Sequence, residues 1–162
     1  MRIILSVLML MLLAACSSTG EIHTVVNSPM AQGWKSNKHE QCVPFARRAS
    51  GIQIRGNAHT WWRQAASDKR SETPKPGAVM VLSKTNRLRL GHVAVVKEIV
   101  HEREINVTHT NWGWNRNTRL MVYDSMRVKD VSDAGDWSKA VFWNPHGRHF
   151  GSAYQVSGFI SP

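Results

Sequence analysis

Cysteine is scarce in this chain, which has two in 162 residues. Two cysteines cannot build a cysteine-rich zinc site, and the sequence also lacks the His-Glu-x-x-His pattern of zinc hydrolases. The spacings His39-x-x-Cys42 and His146-x-x-His149 match no familiar zinc site. We therefore predict no metal site and no cofactor.

Acidic residues are also few, since 11 Asp and Glu stand against 21 Lys and Arg and give a formal net charge of +10. A basic chain suits an anionic partner such as nucleic acid, anionic lipid or an acidic cell-wall polymer. The basic residues are spread along the sequence, without the contiguous block or interleaved aromatics of nucleic-acid modules. We therefore predict no nucleic-acid partner, and a merely solvated basic face explains the charge equally well.

The N-terminal apolar run, Ile3 to Leu13, is too short to span a bilayer as a helix. It ends in Leu13-Ala14-Ala15-Cys16, which resembles the bacterial lipoprotein signal, where a peptidase cuts before a cysteine that then carries lipid. The resemblance implies a signal peptide over residues 1–15 and membrane attachment through a lipidated Cys16. Because Ser17 follows, it also implies the periplasmic face of the outer membrane if the host is Gram-negative. The alternative is an ordinary secretory signal with a Cys16–Cys42 disulfide.

The rest of the chain is long enough for one modest domain. Residues 16–38 are polar, contain glycine and proline, and show no sustained hydrophobic period, so we interpret them as a tether. The folded domain is then expected over residues 39–162.

Helical patterns come first in that domain and strand patterns follow. The Ala/Arg-rich stretch after Cys42 predicts a helix, and the apolar spacing within Asn57–Asp68 predicts a second one. Short apolar runs predict five strands: Ala78–Leu82, Gly91–Val100, Glu104–Asn111, Leu120–Tyr123 and Ala140–Trp143. This order predicts an α+β domain with an antiparallel sheet.

Cys42 and His92 are the candidate catalytic pair. Cys42 opens the first predicted helix, where the positive end of the helix dipole would lower the pKa of its thiol. His92 opens a predicted strand, and a thiol beside an imidazole makes an activated nucleophile. The pair predicts cysteine-dependent catalysis.

A catalytic imidazole also needs an acceptor that orients its second ring nitrogen. His109 and Asn111 lie on the next predicted strand, two residues apart and therefore on one face. They share the face of His92 only in one register, because a slip of one residue would turn them away. Either residue could orient His92.

These residues belong to a longer ordered set of motifs that resembles a CHAP domain. The set comprises Gln41-Cys42-Val43-Pro44-Phe45-Ala46-Arg47, Gly56-Asn57-Ala58, Trp61-Trp62, Pro76-Gly77-Ala78-Val79, Gly91-His92-Val93-Ala94-Val95-Val96 and Asn111-Trp112. The resemblance spans about Gln41 to Trp112. It implies a papain-like fold, with N-terminal helices packed on a central antiparallel sheet, in which Cys42 is the nucleophile and His92 the general base. Many members of that family have Glu where this chain has His109, which is similar to the Cys-His-His arrangement of the related NlpC-type hydrolases.

The resemblance further implies a peptidoglycan hydrolase, either an N-acetylmuramoyl-L-alanine amidase or a stem or cross-link endopeptidase. Trp112 and Trp114 flank Gly113 directly after the proposed site, and we expect them to bind substrate together with Gln41. Two alternatives remain at this point, a non-catalytic wall-binding lipoprotein with the same fold and a cysteine hydrolase of another amide or peptide.

Overall fold

The computed structural model describes residues 40–162. The predicted signal peptide, the lipidation site Cys16 and the tether therefore lie outside the described residues. Within residues 40–162, no helix is both long and apolar enough to cross a membrane.

The described residues form three short α-helices and seven strands. The helices are α1 (Cys42–Ser50), α2 (Trp61–Gln64) and α3 (Arg116–Arg119), and single 3-10 turns cover Ala58–Thr60 and Ser67–Lys69. The strands are β1 (Arg70–Ser71), β2 (Val79–Leu82), β3 (His92–His101), β4 (Glu104–Thr110), β5 (Val122–Asp130), β6 (Lys139–Asn144) and β7 (His149–Ile160).

All strand pairs are antiparallel, in the order β1-β7-β2-β3-β4-β5-β6. An additional pairing of β6 with β7 joins the two sides of the sheet into a closed ring. Closure gives the last strand, β7, partners on both sides and leaves few free sheet edges.

The ring separates two apolar clusters. The inner cluster includes Met80, Ala94, Val107 and Phe142, which point into the ring. The outer cluster combines the other faces of β2 and β3 with α1 and α2, and contains Cys42. Strand alternation explains the division, because neighbouring residues on one strand point to opposite faces.

The antiparallel sheet agrees with the predicted fold class, but the balance of elements differs from the α+β expectation. The domain is mostly β, and its helices are few and short. The helix predicted over Asn57–Asp68 shrinks to a 3-10 turn and the four residues of α2, because Ala65 leaves helical geometry with ψ 143°. Of the two predicted helices, only α1 extends beyond a single turn, and it packs against β3 and β4.

Candidate active site

Cys42 is the first residue of α1 and is 9% exposed. Burial raises the pKa of its thiol, and the backbone N–H groups of Val93 and Val43 oppose that rise without cancelling it. The predicted lowering of the pKa by the helix start is therefore wrong in its net direction, because desolvation of the thiolate outweighs the helix-start donors. At neutral pH the side chain of Cys42 is therefore a neutral thiol.

His92 is the first residue of β3, and its backbone pairs with Leu82 of β2. Gly91 precedes it with φ 70°, a left-handed conformation that favours glycine. A Cβ added at Gly91 would lie 2.6 Å from the backbone nitrogen of His59. A side chain at position 91 would collide with His59, so glycine is required directly before His92. This requirement fixes the start of β3 and with it the position of His92.

The hairpin of β3 and β4 has the register that the site requires. Val96 lies opposite Val107, so His92 shares a face with His109, whereas Asn111 follows the end of β4. His109 is the closer partner, since its Nδ1 lies 2.8 Å from Nε2 of His92, with the two rings at 77° to each other. The structure thus brings His92 and His109 into direct contact.

A third side chain decides which nitrogens carry protons. Nε2 of His109 lies 3.2 Å from the Sδ atom of Met126, and a thioether sulfur can only accept a hydrogen bond. The ring proton of neutral His109 therefore resides on Nε2, which leaves Nδ1 as an acceptor. Nε2 of His92 must then donate, which leaves Nδ1 of His92 without a proton.

Burial keeps both rings neutral. His92 is 2% and His109 0% exposed, and the aromatic rings of Trp112, Tyr123 and Phe142 surround His109. Desolvation lowers the pKa of His92 to about 3, and desolvation together with the charge of His92 holds the pKa of His109 well below its usual range. At neutral pH both imidazoles are therefore uncharged and joined by one hydrogen bond.

Asn111 makes a different contact from the one expected of an orienting residue. Its Nδ2 donates to Oε1 of Gln41 over 2.6 Å, and its own backbone is left-handed with φ 56°. The bond ties β4 to the residue before Cys42. The Gln41 amide is thereby oriented with its oxygen toward Asn111.

Cys42 and His92 belong to different faces of the sheet but border one groove. Cys42 packs in the outer cluster with Val93 and Val95, whereas His92 shares the inner face of Ala94. Both residues begin their elements, and the backbone N–H of Val93 lowers the pKa of the Cys42 thiol, so the start of β3 lies beside Cys42. They line the same groove.

That groove has a volume of about 1030 Å³. Trp112 and Trp114 line it, as does Gln41, so all three predicted substrate-binding residues border one space. Trp112 is also a wall of the inner cluster, packed 4.7 Å from the ring of His92, while Trp114 is 60% exposed. Trp114 is thus the more accessible of the two tryptophans.

A family model of the CHAP domain matches residues 31–111. The chain belongs to the CHAP-domain family. CHAP domains form part of the papain-like cysteine peptidase and amidase group. A search of curated proteins finds no match.

The CHAP match includes Cys42, His92, His109 and Asn111, whereas Met126 lies beyond it. Met126 is the residue of this site that the sequence analysis missed. The sequence does show a strand pattern here, because Met126 and Val128 alternate with Arg127 and Lys129 as on a half-buried strand. That pattern indicates core packing and not a histidine contact. Among residues 40–162 of this CHAP domain, no group of three or more His, Cys, Asp or Glu is arranged to hold a metal ion.

Proposed function

We propose that this CHAP domain is a cysteine-dependent peptidoglycan hydrolase. Membership of the family supports hydrolysis of amide bonds in peptidoglycan in general terms. The observation that carries the cysteine-dependent proposal is the relay from Met126 through His109 to His92, which ends in the groove that Cys42 lines. The bond cleaved is that of an N-acetylmuramoyl-L-alanine amidase or of a stem or cross-link endopeptidase.

The first half of the reaction cleaves the amide bond. Nδ1 of His92 takes the thiol proton while the Cys42 sulfur attacks the carbonyl carbon, which forms a C–S bond and places negative charge on the carbonyl oxygen. This tetrahedral intermediate then collapses: the carbonyl double bond re-forms, the C–N bond breaks, and His92 gives its proton to the leaving amine. The result is a thioester on Cys42 and a free amine.

The second half restores the enzyme. Water loses a proton to Nδ1 of His92 and attacks the thioester carbon, after which the C–S bond breaks and the thiolate regains the proton. The product is a carboxylic acid. A raised pKa for Cys42 and a lowered one for His92 place the proton on sulfur at rest, so proton transfer accompanies attack.

Two donors are available for the oxyanion. The backbone N–H of Cys42 stands in the first turn of α1, where N–H groups have no partner within the helix. The second donor is Nε2 of Gln41, because the oxygen of the same amide is engaged by Asn111. In this proposal Asn111 positions Gln41, and His109 positions His92.

The N-terminal proposal concerns residues outside the described range. Leu13-Ala14-Ala15-Cys16 supports cleavage after residue 15 and lipidation of Cys16, which would hold the hydrolase at the periplasmic face of the outer membrane in a Gram-negative host. Intact-mass analysis of the membrane-extracted protein tests it. An unmodified Cys16, or a protein released in soluble form, would refute the anchor.

Digestion of purified peptidoglycan with mass analysis of the products tests the enzymatic proposal. Wild-type protein should release fragments whose masses identify the bond, and Cys42→Ala should release none while keeping its fold, since it removes one small side chain. His92→Ala tests the proposed base in the same digestion. His149→Ala is its histidine control, because His149 is exposed on β7 and lies outside the groove lining. Binding of peptidoglycan without release of fragments would favour the non-catalytic alternative, and cleavage of other amides alone would favour a different hydrolase.

A further inference from the structure

We propose that the groove recognises free carboxylates of the substrate at two separate positions, one served by Arg87 and Arg89 and the other by Arg119 and Arg116. The inference rests on the proposed function and adds the chemical groups by which the substrate is held. It concerns positions next to the scissile amide, because the same groove contains Cys42 and His92.

The lining of the groove has one sign of charge. Arg87, Arg89 and Arg119 border it, and no Asp or Glu of the described chain does. A side depression of about 530 Å³ adds Arg116 next to Arg119, and another of about 350 Å³ adds Lys84 next to Arg89. Each depression shares lining residues with the main groove, but the two share none with each other. The positive charge therefore stands at two places.

Two of these arginines are held in position by neighbours that leave hydrogen-bond donors available. Nε of Arg119 donates to the carbonyl oxygen of Gly113 over 3.1 Å, which leaves the two terminal nitrogens of the guanidinium for a ligand. The guanidinium carbon of Arg87 lies 5.2 Å from the ring centroid of Tyr154, and stacking on a ring face leaves the edge of the guanidinium for hydrogen bonds. A planar edge with two donors matches a carboxylate.

Several basic residues elsewhere in the domain pair with acidic ones. Lys97 binds Asp124 over 2.7 Å, and both Arg127 and Lys129 bind Glu104. Within residues 40–162, the arginines and the lysine of the groove and its side depressions have no such carboxylate partner. Their charge remains for an external anion, and a groove of one sign attracts oppositely charged ligands.

The test measures binding without turnover, with soluble muropeptides released from peptidoglycan as the probe. The protein is the full chain carrying Cys42→Ala, and the comparison probe is the same muropeptides with their carboxylates converted to amides. Arg87→Gln and Arg119→Gln should each raise the Kd for the native probe by about three- to tenfold, as expected for loss of one partly exposed charge-assisted contact. Both variants should bind the amidated probe as weakly as their parent does.

Arg63→Gln is the matched control, because Arg63 is exposed on α2, lies outside the groove lining and carries the same charge. If Arg63→Gln weakens binding as much as the groove variants do, net charge and not the groove is responsible, and the inference fails. Equal affinity of the parent for native and amidated probes also overturns it. Failure of the proposed function is a separate result, since wild-type protein would then bind the native muropeptides but release no fragments from purified peptidoglycan.

Discussion

Met126→Leu tests the proton relay most directly. The substitution keeps an apolar side chain of similar volume in the inner cluster, and such swaps usually cost less than about 1.5 kcal/mol in stability. It removes the acceptor that lies 3.2 Å from Nε2 of His109. An unsatisfied buried N–H costs about 1–3 kcal/mol, so His109 gains by moving its proton to Nδ1.

That movement reverses the relay. Nδ1 of His109 would then donate to Nε2 of His92, which would place the remaining proton of His92 on Nδ1 and block its action as a base toward Cys42. A bias of about 1–2 kcal/mol, at the low end because sulfur is a weak acceptor, corresponds to a fall in kcat/KM of about 5- to 30-fold. KM should change little.

The assay combines peptidoglycan hydrolysis, the alkylation rate of Cys42 and the 15N chemical shifts of the histidine ring nitrogens. Met80→Leu is the matched control, because Met80 is also buried in the inner cluster, on β2, and makes no histidine hydrogen bond among the described residues. The relay would be refuted if Met126→Leu matched Met80→Leu in rate and in ring-nitrogen shifts. A general packing defect would slow both variants.

Asn111→Ala should slow hydrolysis without changing the ring-nitrogen shifts of His92, whereas His109→Ala should change both; equal shift changes in the two variants would contradict the division of roles. Gly91→Ala should lower the free energy of unfolding by more than Gly77→Ala, which carries only the left-handed strain of about 1–2 kcal/mol because nothing lies within 4 Å of its added Cβ; equal losses in urea denaturation would remove the steric argument. The free energy of unfolding should fall as pH drops below 6.5, by about 1.4 kcal/mol per pH unit for each of the two buried histidines, because the unfolded chain binds protons that the neutral folded rings do not; a stability profile that stays flat from about pH 7 to about pH 5 would be inconsistent with neutral buried rings.

Much of the sheet around the site could be predicted from the sequence. The runs Ala78–Leu82, Gly91–Val100 and Glu104–Asn111 predict β2, β3 and β4 with ends that differ by no more than one residue from the structure. They succeed because each is a compact apolar or alternating run between turn residues. The face shared by His92 and His109 depends on a register that local pattern does not specify, and the structure supplies it.

The second half of the domain was harder to predict for physical reasons. β7 is polar along much of its length and contains Gly151 and Gly158, so it lacks the pattern of a strand even though it pairs on both sides. The net pKa direction of Cys42 was also missed, since helix position is a local property whereas burial depends on the packed fold. Sequence pattern therefore predicted β2, β3 and β4 better than it predicted the burial of the side chains at the site.

The closed ring has a consequence for the order in which the domain folds. Leu82 pairs with His92 on one side and with Val156 on the other, so the strand that supports the imidazole acquires its second neighbour only after β7 has been made. A nascent or truncated chain already contains both Cys42 and His92 but not the ring that holds them. Pairings between residues so distant in sequence form late and slowly. The order of folding thus delays completion of the sheet that carries His92 until the C-terminal strand is in place.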